Sequence, residues 1–301
     1  MQGTKQSHPD KSGRLLRVKN PRNDDKNDFL KNSNFKNKKM SKLISILFLL
    51  FYYSHSYSQL KNPDFRNINN GIFKAGETFE WLMYYGPIDA GTARLELKDE
   101  GRIVNGRKVL HAVGIGKSQG MTDWFFKVRD RYESYLDADG VFPYLFVRRV
   151  DEGGYLICQD YKFLQQNNQV DNGNGKIFDT PQYIQDMISA FYFARTIDFS
   201  GAKKGDVFTV NTFVDDTIFP VKIRFVGIEN IEIKLGTFSC MKFHPVLQKG
   251  RIFKDEDDLN VWITNDVNKI PILTKADVLI GSIKMELRSY SGLCHPISKV
   301  K

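Results

Sequence analysis

From Phe79 onward the chain alternates apolar and polar side chains with a period of two, the pattern of strands half-buried in a sheet. Phe79, Trp81, Met83 and Tyr85 alternate with Glu80, Leu82 and Tyr84. Gly86-Pro87 interrupts, and Ala93, Leu95 and Leu97 then alternate with Arg94, Glu96 and Lys98. Asn105-Gly106 turns the chain into a third strand over 109–115, and Asp137-Ala138-Asp139-Gly140 supplies the turn between strands over 131–136 and 145–150. Gly153-Gly154 leads into 155–164, and the polar, Asn- and Gly-rich tract over 165–175 reads as an exposed loop. Strands resume with Phe208, Val210 and Thr212, and Asp215-Asp216 forms a hairpin tip. Further strands follow over 218–226, 228–235, 238–246, 259–264, 270–277 and 282–290. Between 249 and 258 charges of both signs mark a solvated loop.

One segment departs from this period. Thr180 is a good N-cap and Pro181 suits the first helical position, while Ile184, Met187, Ile188, Phe191 and Ala194 recur at 3.6-residue spacing up to Arg195. About a dozen strands with one prominent amphipathic helix describe an α+β, mainly β chain. A curved antiparallel sheet or an incomplete β-barrel wrapping the helix is the expected architecture, because the apolar helix face needs a partner. Two stacked β-domains divided near 166–180 are the alternative.

The start of the chain is different in kind. Residues 1–39 are rich in Asn and Lys without apolar periodicity, so they bury too little surface to offset chain entropy and read as a disordered leader. Lys38, Lys39 and Lys42 then precede an apolar run over 43–53, with Ser56 and Ser58 at the −3 and −1 positions before Gln59. This is the anatomy of a cleaved secretory signal peptide over 40–58. The run is about half of what a membrane-spanning helix needs, so no stable transmembrane anchor is expected after cleavage. Met40 stands where such a peptide begins, which assigns 1–39 to an upstream start codon. A linker over 59–75, an exported mainly β domain over 76–292 and a tail over 293–301 complete the layout.

Charge changes the picture once it is divided by segment. The 44 Lys and Arg against 35 Asp and Glu give +9, yet residues 1–42 hold 12 of the basic and 4 of the acidic residues, and 43–58 hold none. The body is therefore left with 32 against 31, and the case for a nucleic-acid partner loses its electrostatic basis. A 41% hydrophobic and 13% aromatic composition excludes a wholly disordered, collagen-like or multi-span membrane chain.

Chemistry is sparse. Gly114-Ile115-Gly116 lacks the further glycine and helix of a dinucleotide fingerprint, no serine sits in a Gly-x-Ser-x-Gly elbow, and His111, His244 and His295 are scattered. No catalytic residue, metal site or cofactor is assigned. Cys158, Cys240 and Cys294 match no metal or redox spacing and read as buried hydrophobes, with a Cys240 to Cys294 disulfide as the alternative. The densest candidate runs from Met121 through Trp124, Phe125 and Phe126 to Tyr132, where aromatics line a pocket and Arg129 and Arg131 steer an acidic end. The alternative packs Trp124 and Phe126 into the core, with Arg129, Asp130 and Arg131 pairing at its rim. Asp186, Tyr192 and Arg195 on the helix pose the same choice, and the macrodipole alone accounts for Arg195 near the helix end. The candidate ligand-binding set is Trp81, Tyr84, Trp124, Phe125, Arg129, Arg131, Tyr192 and Arg195.

Over 73–290 the chain resembles the exported bacterial family called domain of unknown function 3108, most familiar from Bacteroidetes. The carriers are Gly76-Glu77, Tyr84-Tyr85-Gly86 and Ala90-Gly91, the segment Trp124 to Tyr132, the helix Asp186 to Arg195, and Val261-Trp262-Ile263-Thr264-Asn265-Asp266 followed by Ile270-Pro271 and Gly281-Ser282-Ile283. The resemblance implies an exported, mostly β protein and supplies no catalytic residues. The expected function is non-enzymatic binding of a hydrophobic or amphiphilic ligand, a lipid or other amphiphile, in the periplasm or outer envelope of a Gram-negative bacterium. A structural module docking on an envelope protein is the alternative. A cell-wall glycan hydrolase is a third reading, and it requires two carboxylates converging in one cleft.

Overall fold

Most of the period-two segments form strands that pair antiparallel with a neighbour in the chain, as short turns favour. The computed structural model describes residues 65–69, 71–246, 258–278 and 281–300; the leader and signal-peptide readings, and the charged loop up to 257, lie outside them. The first half holds β1 (Thr78–Tyr85), β2 (Ile88–Lys98), β3 (Ile103–Val104), β4 (Arg107–Ser118), a short helix α1 (Gly120–Phe125), β5 (Arg129–Asp137), β6 (Pro143–Glu152), β7 (Tyr155–Leu164), β8 (Gln169–Asp171) and β9 (Ile177–Asp179). Helix α2 (Met187–Thr196) leads into β10 (Val207–Val214), β11 (Thr217–Ile233), β12 (Gly236–Pro245), β13 (Leu259–Thr264), β14 (Pro271–Asp277) and β15 (Ser282–Ser291).

All fifteen strands belong to one sheet, so the alternative of two stacked β-domains is overturned. The order is β10-β11-β12-β13-β14-β15-β1-β2-β4-β5-β6-β7-β8-β9, with β3 paired to β4 off this path. The first and last strands therefore meet in the middle, with Phe79 opposite Tyr290, and the two edges are β9 and β10. Helix α2 packs on β10 and also on β4 and β5, far along the sheet order, so the sheet curls around it. The close approach needs Gly114: a Cβ there would stand 3.2 Å from Ile188 Cδ1. Phe79, Leu97, Leu110, Leu136, Tyr192 and Phe238 fill the main core, and a smaller cluster gathers Phe146, Tyr161, Phe163, Val170, Ile184 and Phe213. Residues flanking the strands join in: Phe65 and Phe73 are buried, and Leu293 and Ile297 pack against the core.

The curl does not close into a barrel. Between the edges runs a short extended segment in which the Gln185 amide donates to Asn211 O at 3.0 Å and the Phe213 amide donates to Gln185 O at 2.8 Å. This pairing corrects the expected start of the helix. Thr180 and Pro181 are not its N-terminus; Tyr183 has φ of 57° and Ile184 belongs to the smaller core cluster. The cap is Asp186, whose Oδ1 accepts from the Ile188 and Ser189 amides, while Ser189 Oγ accepts from the Asp186 amide. Together these bonds satisfy three amide donors at the helix start, those of Asp186, Ile188 and Ser189.

Two further segments differ from expectation. The tract over 165–175 is not simply a loop, since it contains β8 with Val170 fully buried and Gln165 bonded to Pro143 O and Ile184 O. The two strands expected over 218–235 are one, β11, with a register shift at Gly227 across which it stays paired to β12 from Ile223 to Ile233. Cys158, Cys240 and Cys294 are free thiols, which sets aside the Cys240 to Cys294 disulfide; burial pushes the Cys240 thiol up to about 12.

Candidate functional site

The side chains of α2 divide into two stripes. Ser189, Tyr192 and Arg195 are buried toward the core, whereas Met187, Ala190, Phe191 and Ala194 face the inner side of β10 and β11 across an open groove. The larger part of this groove, about 730 Å³, is walled by Val210, Thr212 and Val214 of β10 and by Thr217, Phe219, Val221 and Ile223 of β11, with Asp215 at the turn. A second cavity of about 170 Å³ shares Phe191, Ala194 and Ile223 with it and reaches Phe199, Phe243, Val261, Ile263 and Pro271. Met187 and Phe219 are nearly half exposed, while Phe199 and Phe243 are buried, so the mouth is at the hairpin end and the inner end lies near Phe243.

Arg195 anchors the helix at that inner end. Its Nη1 and Nη2 donate to Glu77 Oε2 and Oε1 at 2.6 and 2.8 Å, and its Nε donates to Asn268 O at 2.8 Å. Both ionic partners are almost fully buried, and the rings of Phe73, Phe79, Phe191 and Tyr192 surround the guanidinium at 5.5 to 5.7 Å. With this bidentate pair Arg195 does more than answer the helix dipole. Lys269 caps the helix by donating to Arg195 O at 2.9 Å, and burial pushes its ammonium pKa down. At the other end Ser134 donates to Asp186 Oδ2 at 2.6 Å, and burial raises that carboxyl to about 6.

The eight candidate residues from the sequence do not converge. Trp81 lies in the core with its indole donating to Pro271 O at 2.9 Å, and Tyr84 is half-buried under the Lys284 ammonium, 4.0 Å from the ring centre. Tyr192 is fully buried, its hydroxyl unpartnered and its pKa raised by burial. Trp124 and Phe125 stand 83% and 73% exposed on α1, far from any core position. The alternative that Trp124 and Phe126 pack inward is thus overturned. Asp123 receives bonds from Ser118 and Arg129, which hold its carboxyl down at about 2 and turn the polar side of α1 to the sheet, leaving the aromatics outward. Arg131 is bonded to Glu133 at 2.6 Å. Of the eight, Arg195 alone lines the groove, and its polar atoms point away into the ion pair.

The groove walls on β10 and β11 were missed. Their signal was present in the alternation of Val210, Thr212 and Val214, but alternation marks a strand face without saying whether anything covers it. Glu77 entered the sequence reading only as part of the family resemblance, and its pairing carried no local signal, since its partner is 118 residues away. Among the described residues one carboxylate, Asp215, lines the groove. Among the described residues no group of three or more His, Cys, Asp or Glu side chains is placed to hold a metal ion, and no helix is long and apolar enough to cross a membrane.

Comparison with solved structures finds likeness at 10–11% identity. A β-barrel-like protein of domain of unknown function 1849 from Brucella abortus aligns over 71% of this chain and 96% of its own, at 10% identity and a TM-score of 0.47. A candidate lipoprotein from Parabacteroides distasonis aligns over 73% and 98%, at 10% identity and 0.32. A candidate exported protein with a YmcC-like fold from Bacteroides fragilis aligns over 73% and 97%, at 11% and 0.29. No curated protein matches the chain. Residues 80–288 match the model of the family described as protein of unknown function DUF3108. That span runs from β1 to β15 and takes in α2 and both walls of the groove, and the chain belongs to the DUF3108 family.

Proposed function

We propose that this protein is exported to the periplasm or outer envelope of a Gram-negative bacterium and holds a hydrophobic or amphiphilic ligand between α2 and β10–β11. The observation that carries the reading is the groove itself. A helix face bearing Met187, Ala190, Phe191 and Ala194 stands opposite Val210, Val214, Phe219 and Val221 without closing on them. Apolar surface left open at this scale is the usual form of a ligand site. Export rests on the leader, with its lysines, apolar run and small residues before Gln59.

A second reading, docking on an envelope protein, draws on the exposed Trp124 and Phe125 and on Met121, Tyr155 and Leu156, each more than 60% exposed. Site-specific photocrosslinking in cells separates the two. A crosslinker at Phe219 yields adducts of lipid mass if the groove is loaded, and one at Trp124 stays unreacted. A single protein adduct at Trp124, with none at Phe219, would replace the first reading by the second.

A further inference from the structure

The charges around the groove are arranged so that they constrain what a ligand's head group can be. At the inner end both cations are engaged: Arg195 binds Glu77 and Asn268 O through its guanidinium, and the Lys269 ammonium donates to Arg195 O. Both line the inner cavity through carbon atoms, with their polar atoms turned toward these partners. The walls there, Phe199, Phe243, Val261 and Ile263, accept only hydrocarbon. Polar groups concentrate at the mouth, in Thr212, Thr217 and Asp215. The turn at the mouth places Asp215 next to Asp216. Arg148 bonds Asp215 at 2.9 Å, but Asp216 is held by neutral donors, the Tyr161 hydroxyl and the Asn172 amide, so the pair keeps one uncompensated negative charge.

We infer that the groove takes a single-chain amphiphile tail-first, with an uncharged, hydrogen-bond-donating head group at the 215–216 turn, and discriminates against free fatty-acid carboxylates. This rests on the groove being the ligand site. The tail fills the space beside Phe191 and Ile223 toward Phe243, and a hydroxyl-bearing head donates to the Asp215 carboxylate. A carboxylate head would meet the negative turn at the mouth and an apolar lining at the other end. A head-group repulsion of this kind in a partly solvated mouth corresponds to about tenfold in affinity.

Displacement of the fluorescent probe N-phenyl-1-naphthylamine from the purified protein tests this at pH 8, with monododecanoylglycerol compared with dodecanoate at the same chain length. The expected result is displacement by the glycerol ester at about tenfold lower concentration, with Asp215→Asn together with Asp216→Asn narrowing the gap. Equal displacement by the two, or a gap unchanged in the double variant, overturns the head-group inference and leaves the groove reading standing. The groove reading fails separately if the probe does not bind, or if Ala194→Trp and the exposed-site variant Phe219→Ser both bind it like the parent. Phe219→Ser touches only the mouth, so it remains informative where Ala194→Trp does not fold.

Discussion

Asp186 shows how one side chain can serve two elements and make stability depend on pH. It caps α2 and ties it to β5 through Ser134, yet it is fully buried, and burial lifts its carboxyl from an ordinary 3.8 to about 6 against the bonds from Ser134, Ser189 and Ile188. The unfolded chain gives up this proton near 3.8 and the folded chain near 6, so between those values the folded state holds more protons. Its contribution to stability is therefore greatest below about pH 4, falls as pH rises through the window, and is flat above it, a change of about 3 kcal/mol across the full span. Asp186→Asn keeps an oxygen for the two amides and removes the titration. Urea unfolding at pH 4 and pH 7 is expected to show the parent losing ground to this variant as pH rises; a constant difference would remove Asp186 as the source.

At the scale of the element, α2 is held at its far end by the Arg195–Glu77 pair, which joins it to the start of β1. Breaking one side leaves a buried charge without its partner, so Glu77→Gln is expected to lose about 3–5 kcal/mol in chemical denaturation. Replacing both, Glu77→Leu with Arg195→Met, is expected to recover most of that loss; a double variant as weak as the single one would assign the effect to packing. The existence of α2 was legible from its 3.6-residue period, and Arg195 from its place near the helix end. Its boundary was not, because two capping signals compete, Thr180-Pro181 and Asp186 with Ser189. The choice between them is made by pairing of Gln185 with β10, which no local pattern records. The hairpin tips were legible for the opposite reason, since Asn105-Gly106 and Asp215-Asp216 carry their positive φ angles in their own residue types. Trp124 and Phe126 misled because an aromatic run looks the same whether the core takes it or solvent does.

For the whole molecule the decisive feature is the pairing of β1 with β15, and nothing in the sequence joined them. Each strand was visible alone, but a contact between Phe79 and Tyr290 depends on every turn between them. Gly292, just past β15, marks how tight the junction is: φ is 71°, and a Cβ would lie 2.1 Å from Gly76 O. Gly292→Ala meets both a backbone penalty and a clash with backbone that cannot yield, and about 3 kcal/mol of destabilisation is expected. Hydrogen exchange should localise the loosening to β1 and β15; uniform protection in those strands would mean that the backbone had found another path. The same seam orders events in time. During synthesis β1 has β2 beside it early, but its other flank stays vacant until the last strand has emerged, and loop closure over that separation is slow. A chain cut short before Ser282 would therefore present two further bare strand edges, on β1 and on β14, beyond the β9 and β10 edges of the complete sheet, and would be the more exposed to aggregation.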